Sequence, residues 1–180
     1  MEKMKTLNSE RLTMKMYSLD DAEGLYGYAS NPNVGPHAGW APHKDVEESE
    51  EIIRTLFMPA EAWAIRLKGE DRIIGTISLE PDKYRPDANS REMGYSLAED
   101  QWGKGIMTEA AMTVLEFAFT EMGLDQVGIC TSRVNQRSKR VIEKCGFTYE
   151  GTIRRAYRIW DGTTRDSVVF SMLKEEWINR

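Results

Sequence analysis

Metal-binding and disulfide chemistry have little to work with in this sequence. Its 180 residues hold two cysteines, Cys130 and Cys145, and two histidines, His37 and His43. No C-x-x-C or H-x-x-x-H spacing occurs, which argues against a structural zinc, and two cysteines do not make a disulfide scaffold. They are compatible with a reducing compartment. No run approaches the ~20 apolar residues that cross a bilayer, and the opening Met1-Glu2-Lys3-Met4-Lys5-Thr6 lacks the apolar core of a signal peptide. Positive charge is also in short supply. A formal charge of −5 argues against nucleic-acid binding through a global basic field. The absences together predict a soluble cytoplasmic protein with no metal, no membrane and no direct nucleic-acid partner. Mild acidity suits a cationic substrate, although the same charge also simply serves solubility.

What is present has an ordinary globular make-up, 41% hydrophobic and 29% charged, and the length predicts one domain over residues 1–180. Alternation predicts strands at 11–16, 62–67, 72–79, 91–98, 127–131, 148–157 and 166–173. Helices are expected from Ser18 to about Asn31, from Asp45 to Met58, from Gly105 to Met122 and from Asn135 to Gly146, with caps at Ser18 and Asp45 and glycine stops at Gly123 and Gly146. Residues 31–44, with Pro32, Gly35, Pro36, Gly39 and Pro42, read as a loop. Strands outnumber helices and often follow one another directly, so the fold class is α+β with a central, mostly antiparallel sheet flanked by helices. Exposed edge strands leave room for a homodimer.

The most informative stretch is Trp102-Gly103-Lys104-Gly105-Ile106-Met107-Thr108-Glu109, where a glycine-rich turn opens directly into a helix. Such a junction presents free backbone N–H groups and the positive end of the helix dipole to an anion, as a phosphate requires. A Walker loop is excluded because G-x-x-x-x-G-K-[ST] does not occur. A dinucleotide fingerprint is excluded because Thr108 stands where its third glycine belongs. Taken alone, the turn could equally be a plain helix start.

Three segments beyond it fix the reading. They are Asn135-Gln136-Arg137-Ser138 running on to Val141-Ile142-Glu143-Lys144-Cys145-Gly146-Phe147, then Tyr149-Glu150-Gly151 with the strand Asp166 to Leu173, and the opening Ser9-Glu10-Arg11-Leu12. In order and spacing the chain resembles, over nearly its whole length, the Gcn5-related N-acetyltransferase (GNAT) superfamily. The branch it resembles contains the ribosomal-protein N-terminal acetyltransferases (RimJ/RimL-like). Trp102 and Met107 depart from the general motif in the manner of that branch.

The resemblance implies a GNAT acyl-CoA N-acyltransferase fold, with the sheet splayed at a cleft for acetyl-CoA. Pantetheine would run beside Tyr95, Ser96 and Leu97. Pyrophosphate would sit on the amides of Gly103, Lys104, Gly105, Ile106, Met107 and Thr108. Asn135, Arg137 and Arg140 would also contact the cofactor, although basic residues on a helix are as readily its solvated face. The general-acid tyrosine of many members is replaced by Ile142, and the branch points instead to Ser138. Both Asn135 and Ser138 could equally serve as helix caps. For the base, Glu92 on the cleft strand is one candidate, with a salt-bridged strand residue as the alternative. Tyr157 stands where related enzymes carry a glutamate. His37, Trp40 and His43 would line the acceptor side or form a lid. The acceptor implied is a primary amine: a protein N-terminus, that of a ribosomal protein first, or a small amine such as a polyamine, amino acid or aminoglycoside. A CoA-binding sensor without turnover is the reading from outside enzymology.

Overall fold

The computed structural model describes residues 5–180; Met1 to Met4, part of the stretch read as lacking a signal-peptide core, lie outside it. Among the described residues eight strands form one sheet in the order β1-β2-β3-β4-β5-β6-β8-β7. They are β1 (Leu7–Asn8), β2 (Leu12–Met16), β3 (Glu61–Leu67), β4 (Gly75–Pro81), β5 (Ser90–Leu97), β6 (Gln126–Thr131), β7 (Thr148–Arg158) and β8 (Thr164–Leu173). Every adjacent pair is antiparallel except β5 with β6. That exception follows from chain order. A parallel neighbour needs a crossover, and α4 (Ile106–Thr120) supplies it.

The parallel ladder is short. It runs from Ser90↔Gln126 to Met93↔Ile129 and then stops, while β5 continues to Leu97 on its β4 side and β6 continues to Thr131 on its β8 side. The two strands therefore part beyond Met93, and the splay expected from the resemblance is there.

Four longer helices flank the sheet. α4 and α5 (Gln136–Cys145) lie on one face, where Trp63 meets Phe117 edge-on at 5.7 Å and Tyr95 reaches Ser138. α1 (Ala22–Ala29) and α3 (Val46–Ile52) lie on the other, where Tyr28 bonds to Thr76 and Ser96. The core joins both layers, with Leu12, Met14, Trp63, Ile65, Ile77, Leu115 and Ile142 essentially inaccessible to water. α4 presents Ile106, Ala110, Val114, Leu115 and Ala118 to it, a helical stripe of the expected period.

Several of the sequence expectations need correction. The strand expected over 72–79 starts at Gly75; Ile73 and Ile74 are buried, and only Ile74 is tied, its amide donating to Ile65 O and its carbonyl accepting from the Ala98 amide. The first helix starts as a tight turn at Leu19–Asp21 before α1, and the second ends in a wider five-residue turn at Ile53–Phe57. A short helix, α2 (Gly35–Ala38), interrupts the loop over 31–44. It depends on Gly35, where a Cβ would stand 2.5 Å from Trp40 Cε3 and 2.6 Å from the Trp40 carbonyl. α6 (Lys174–Ile178), unforeseen, follows β8 directly.

Candidate active site

A cleft of about 580 Å³ opens where β5 and β6 part. Its floor is the free edge of β5, with Tyr95, Ser96 and Leu97; one wall is the turn into α4; the other is the start of α5. Each wall has a local cause.

The first wall is made by backbone shape. Gly103 and Gly105 both take left-handed conformations, with φ of 76° and 74°, which a side chain makes costly. Gly105 is the residue before the first turn of α4, so the amides of Ile106, Met107 and Thr108 have no acceptor within their own helix. The first intrahelical bond to close is Glu109 N to Gly105 O, at 3.0 Å. The cleft thus faces a row of unpaired donors at the positive end of a fifteen-residue helix.

A brace from far away in sequence holds this turn. The Glu109 carboxylate accepts from Ser9 Oγ at 2.7 Å, the Arg11 amide at 2.8 Å and Arg11 Nε at 2.6 Å. Arg11 Nη1 then donates to the Lys104 carbonyl at 3.0 Å. Burial alone would raise the Glu109 carboxyl, but the Arg11 amide, the Ser9 hydroxyl and the Arg11 guanidinium together hold it below its usual value. The opening Ser9-Glu10-Arg11-Leu12 segment therefore earns its place structurally.

The second wall starts with Asn135, whose Oδ1 accepts the Ser138 amide at 3.1 Å, a helix cap. Ser138 serves two purposes, because its Oγ also shares a 3.0 Å hydrogen bond with the Tyr95 hydroxyl. Burial raises the Tyr95 phenol well above its ordinary value, so it stays protonated and able to donate at neutral pH. Arg137 lies 3.9 Å over the Trp102 ring, and Trp102 Nε1 donates to Leu97 O at 2.9 Å. Trp102 thus ties the two walls to the floor.

The segment of α2 closes one end of the cleft. Val34, His37 and Ala38 line it, Asn135 Nδ2 donates to His37 O at 3.4 Å and Arg165 Nη1 donates to Pro36 O at 2.9 Å. Of the other loop residues, Trp40 packs against the core. His43 turns away to share a 2.8 Å hydrogen bond with Ser49 Oγ through Nδ1, and its burial lowers its pKa.

Most residues singled out in sequence meet around this one cleft: Tyr95, Ser96, Leu97, Gly103, Gly105, Ile106, Met107, Thr108, Asn135, Arg137, Ser138 and Arg140. Three stand apart. Lys104 points its ammonium to Gln101 Oε1 at 3.3 Å. Glu92 lies on the opposite face of β5, where Lys83 Nζ donates to it at 2.7 Å. Tyr157 sits on β7 opposite Arg165, beside the α2 segment. Gln101, Val141 and Lys144 line the cleft as well; Gln101 sits in the tight turn 99–101 and carried no motif signal.

An acetyl-CoA molecule would suit these residues. The cleft is long and open, one wall offers amides without acceptors, and the floor offers a strand edge without a partner.

Comparison with known proteins gives a consistent result. Residues 11–148 match the acetyltransferase (GNAT) domain family. An uncharacterized N-acetyltransferase, p20, of Bacillus licheniformis is 30% identical over 179 residues, covering 97% of this chain and 99% of its own. The "putative ribosomal N-acetyltransferase YdaF" of Bacillus subtilis is 40% identical over 86 residues, 48% of this chain and 46% of its own. In three dimensions the chain is similar to the ribosomal-protein-S5-alanine acetyltransferase of Vibrio fischeri. There the TM-score is 0.79 at 23% identity, over 96% of this chain and 98% of that one, a likeness of fold.

Proposed function

This chain belongs to the GNAT family of N-acetyltransferases, and from that premise we propose that it moves an acetyl group from acetyl-CoA directly to the N-terminal amine of a protein, a ribosomal protein being the first candidate. The observation that carries the reading is the parting of β5 from β6 beyond Met93↔Ile129, directly beside the glycine-flanked start of α4.

In this reading the amides of Gly103 to Thr108 receive the pyrophosphate, since oriented N–H groups at a helix start favour an anion. The free edge of β5 at Tyr95, Ser96 and Leu97 pairs with the amide groups of pantetheine as a further strand would. Asn135, Arg137 and Arg140 flank the remainder, Arg137 held in place by Trp102. Amine acetylation forms one C–N bond and breaks one C–S bond. The amine sheds a proton, and the departing thiolate takes one up. Ser138 is the candidate donor, with the Tyr95 hydroxyl 3.0 Å behind it able to resupply the proton. Glu92 and Tyr157 remain candidates on the acceptor side. Lys83 Nζ donates to the Glu92 carboxylate at 2.7 Å and fixes its position on that strand.

No helix among the described residues is long and apolar enough to cross a membrane, and we place the activity in the cytoplasm. The test is release of free thiol from acetyl-CoA in the presence of peptides with free Ser or Ala N-termini, beside a pool of small amines and a blank without acceptor. Release with peptides supports the reading. Release with small amines alone moves the acceptor to a polyamine, amino acid or aminoglycoside.

A further inference from the structure

Amine acetylation needs an acceptor for the amine's proton, and the residues lining the cleft narrow the choice. No carboxylate is among them. Arginine and lysine are cations at neutral pH, which removes Arg137, Arg140 and Lys144. Burial keeps the Tyr95 phenol protonated. The one titratable side chain left on the cleft is His37. Imidazole is the side-chain type that is largely neutral near pH 7 and still basic enough to take a proton. The base candidates named from the sequence lie elsewhere: neither Glu92 nor Tyr157 lines the cleft, and Glu92 is bonded to Lys83. The other imidazole, His43, is turned away to Ser49.

The way His37 is held gives a second, independent observation. It sits in α2, a single turn of helix closed by Gly39 N to Gly35 O at 2.9 Å and ended by Gly39 at φ of 100°. Everything that pins this turn acts on its backbone. Asn135 Nδ2, at the start of α5, donates to the His37 carbonyl at 3.4 Å. Arg165 Nη1, on β8, donates to the Pro36 and His37 carbonyls at 2.9 and 3.3 Å. The Trp160 amide, in the turn between β7 and β8, donates to Gly39 O at 3.2 Å. The imidazole itself forms no hydrogen bond among the described residues, and His37 is exposed. The residue is therefore fixed in place while both ring nitrogens are left free. Asn135 also accepts the Ser138 amide, so one side chain joins the His37 backbone to the residue that would protonate the leaving thiolate.

We propose that His37 is the general base of the reaction. The inference rests on the acetyltransferase reading and adds a catalytic residue to it. As the C–N bond forms and the C–S bond breaks, the nitrogen's proton passes to the neutral imidazole, while the sulfur takes up the proton that Ser138 gives. The imidazolium then returns its proton to solvent, which His37 reaches because it is exposed.

The experiment compares wild type with His37→Ala and His37→Gln by thiol release from acetyl-CoA, using a hexapeptide with a free N-terminal alanine and, separately, spermidine. For whichever probe wild type acetylates, both variants lower kcat about 100-fold. The acetyl-CoA Kd and the Tm stay near their wild-type values, since only an exposed side chain is changed. Free imidazole restores part of the lost kcat in His37→Ala, where it can occupy the vacated space, and not in His37→Gln, where the new side chain fills it. Unchanged kcat in both variants overturns the proposal. So does a loss that imidazole fails to restore in His37→Ala, or one matched by an equal loss of acetyl-CoA affinity, which would make His37 a wall of the cofactor site. If wild type binds acetyl-CoA but acetylates neither probe, the acetyltransferase reading falls and the base falls with it. Turnover by wild type that the variants match overturns the base alone.

Discussion

Arg11 and Glu109, 98 residues apart in sequence, meet through two hydrogen bonds, from the Arg11 amide at 2.8 Å and from its Nε at 2.6 Å. The same guanidinium reaches the carbonyl of Lys104. The turn between Gly103 and Gly105 has glycines at both ends and little stiffness of its own, so its shape in the free protein depends on this clamp. An amide row that is already in place loses less conformational entropy on binding than one that has to assemble.

Removing the clamp should therefore weaken cofactor binding more than it weakens the fold. Arg11→Ala is expected to raise the acetyl-CoA Kd about tenfold, roughly 1.4 kcal/mol, with a small change in Tm, because Arg11 is nearly half exposed. Calorimetric titration beside a melting curve separates the two effects.

The clamp also has a pH signature. Glu109 has a depressed pKa in the folded protein, so its contribution is fully present above the unfolded carboxylate value and fades as pH falls through the folded one. Below about pH 4, the ordinary range of a glutamate, wild type should lose more stability than Glu109→Gln does. Melting curves from neutral to acidic pH for both proteins check this.

Ser138 and the Tyr95 hydroxyl form one unit, and their removal should affect turnover rather than cofactor affinity. Ser138→Ala is expected to lower kcat by about 10- to 100-fold with the acetyl-CoA KM little changed. Tyr95→Phe should have a smaller effect of the same kind. A fall in acetyl-CoA affinity without a fall in kcat would reduce Ser138 to a helix-capping partner.

Neither thiol should matter to the chemistry. Burial pushes Cys130 and Cys145 up to about 11, the Glu92 charge adding to the effect at Cys130. Both are protonated at neutral pH and poor nucleophiles. Iodoacetamide at neutral pH should leave activity intact, as followed by mass spectrometry and a thiol-release assay; inactivation tracking with alkylation of Cys130 would contradict this.

The glycine turn, the Asn135 cap and the strand-rich order were legible in the sequence because each depends on neighbours in the chain. The other residues that line the cleft, Tyr95, Ser96, Leu97, Arg137 and Arg140 among them, were named through the family resemblance. What was not legible depends on distance. Arg72-Ile73-Ile74 has the composition of a strand, but burial of both isoleucines, with Ile73 packed beneath Gly24 of α1, accounts for it without a ladder. The Arg11–Glu109 clamp joins segments that no periodicity relates. Asn135, read as cap or functional group, caps the helix and lines the cleft at once, whereas Ser138 gives only its amide to the cap and turns its hydroxyl to Tyr95 in the cleft.

The most direct test of the central claim is calorimetric titration of acetyl-CoA into wild type and into Gly105→Glu. Gly105 has φ of 74°, and a glutamate there would both strain the turn and set a negative charge against the amide row. The account predicts one acetyl-CoA bound per chain by wild type and no detectable binding by the variant, with the variant still folded by circular dichroism. Equal binding by both proteins would contradict it, and would remove the start of α4 from the cofactor site.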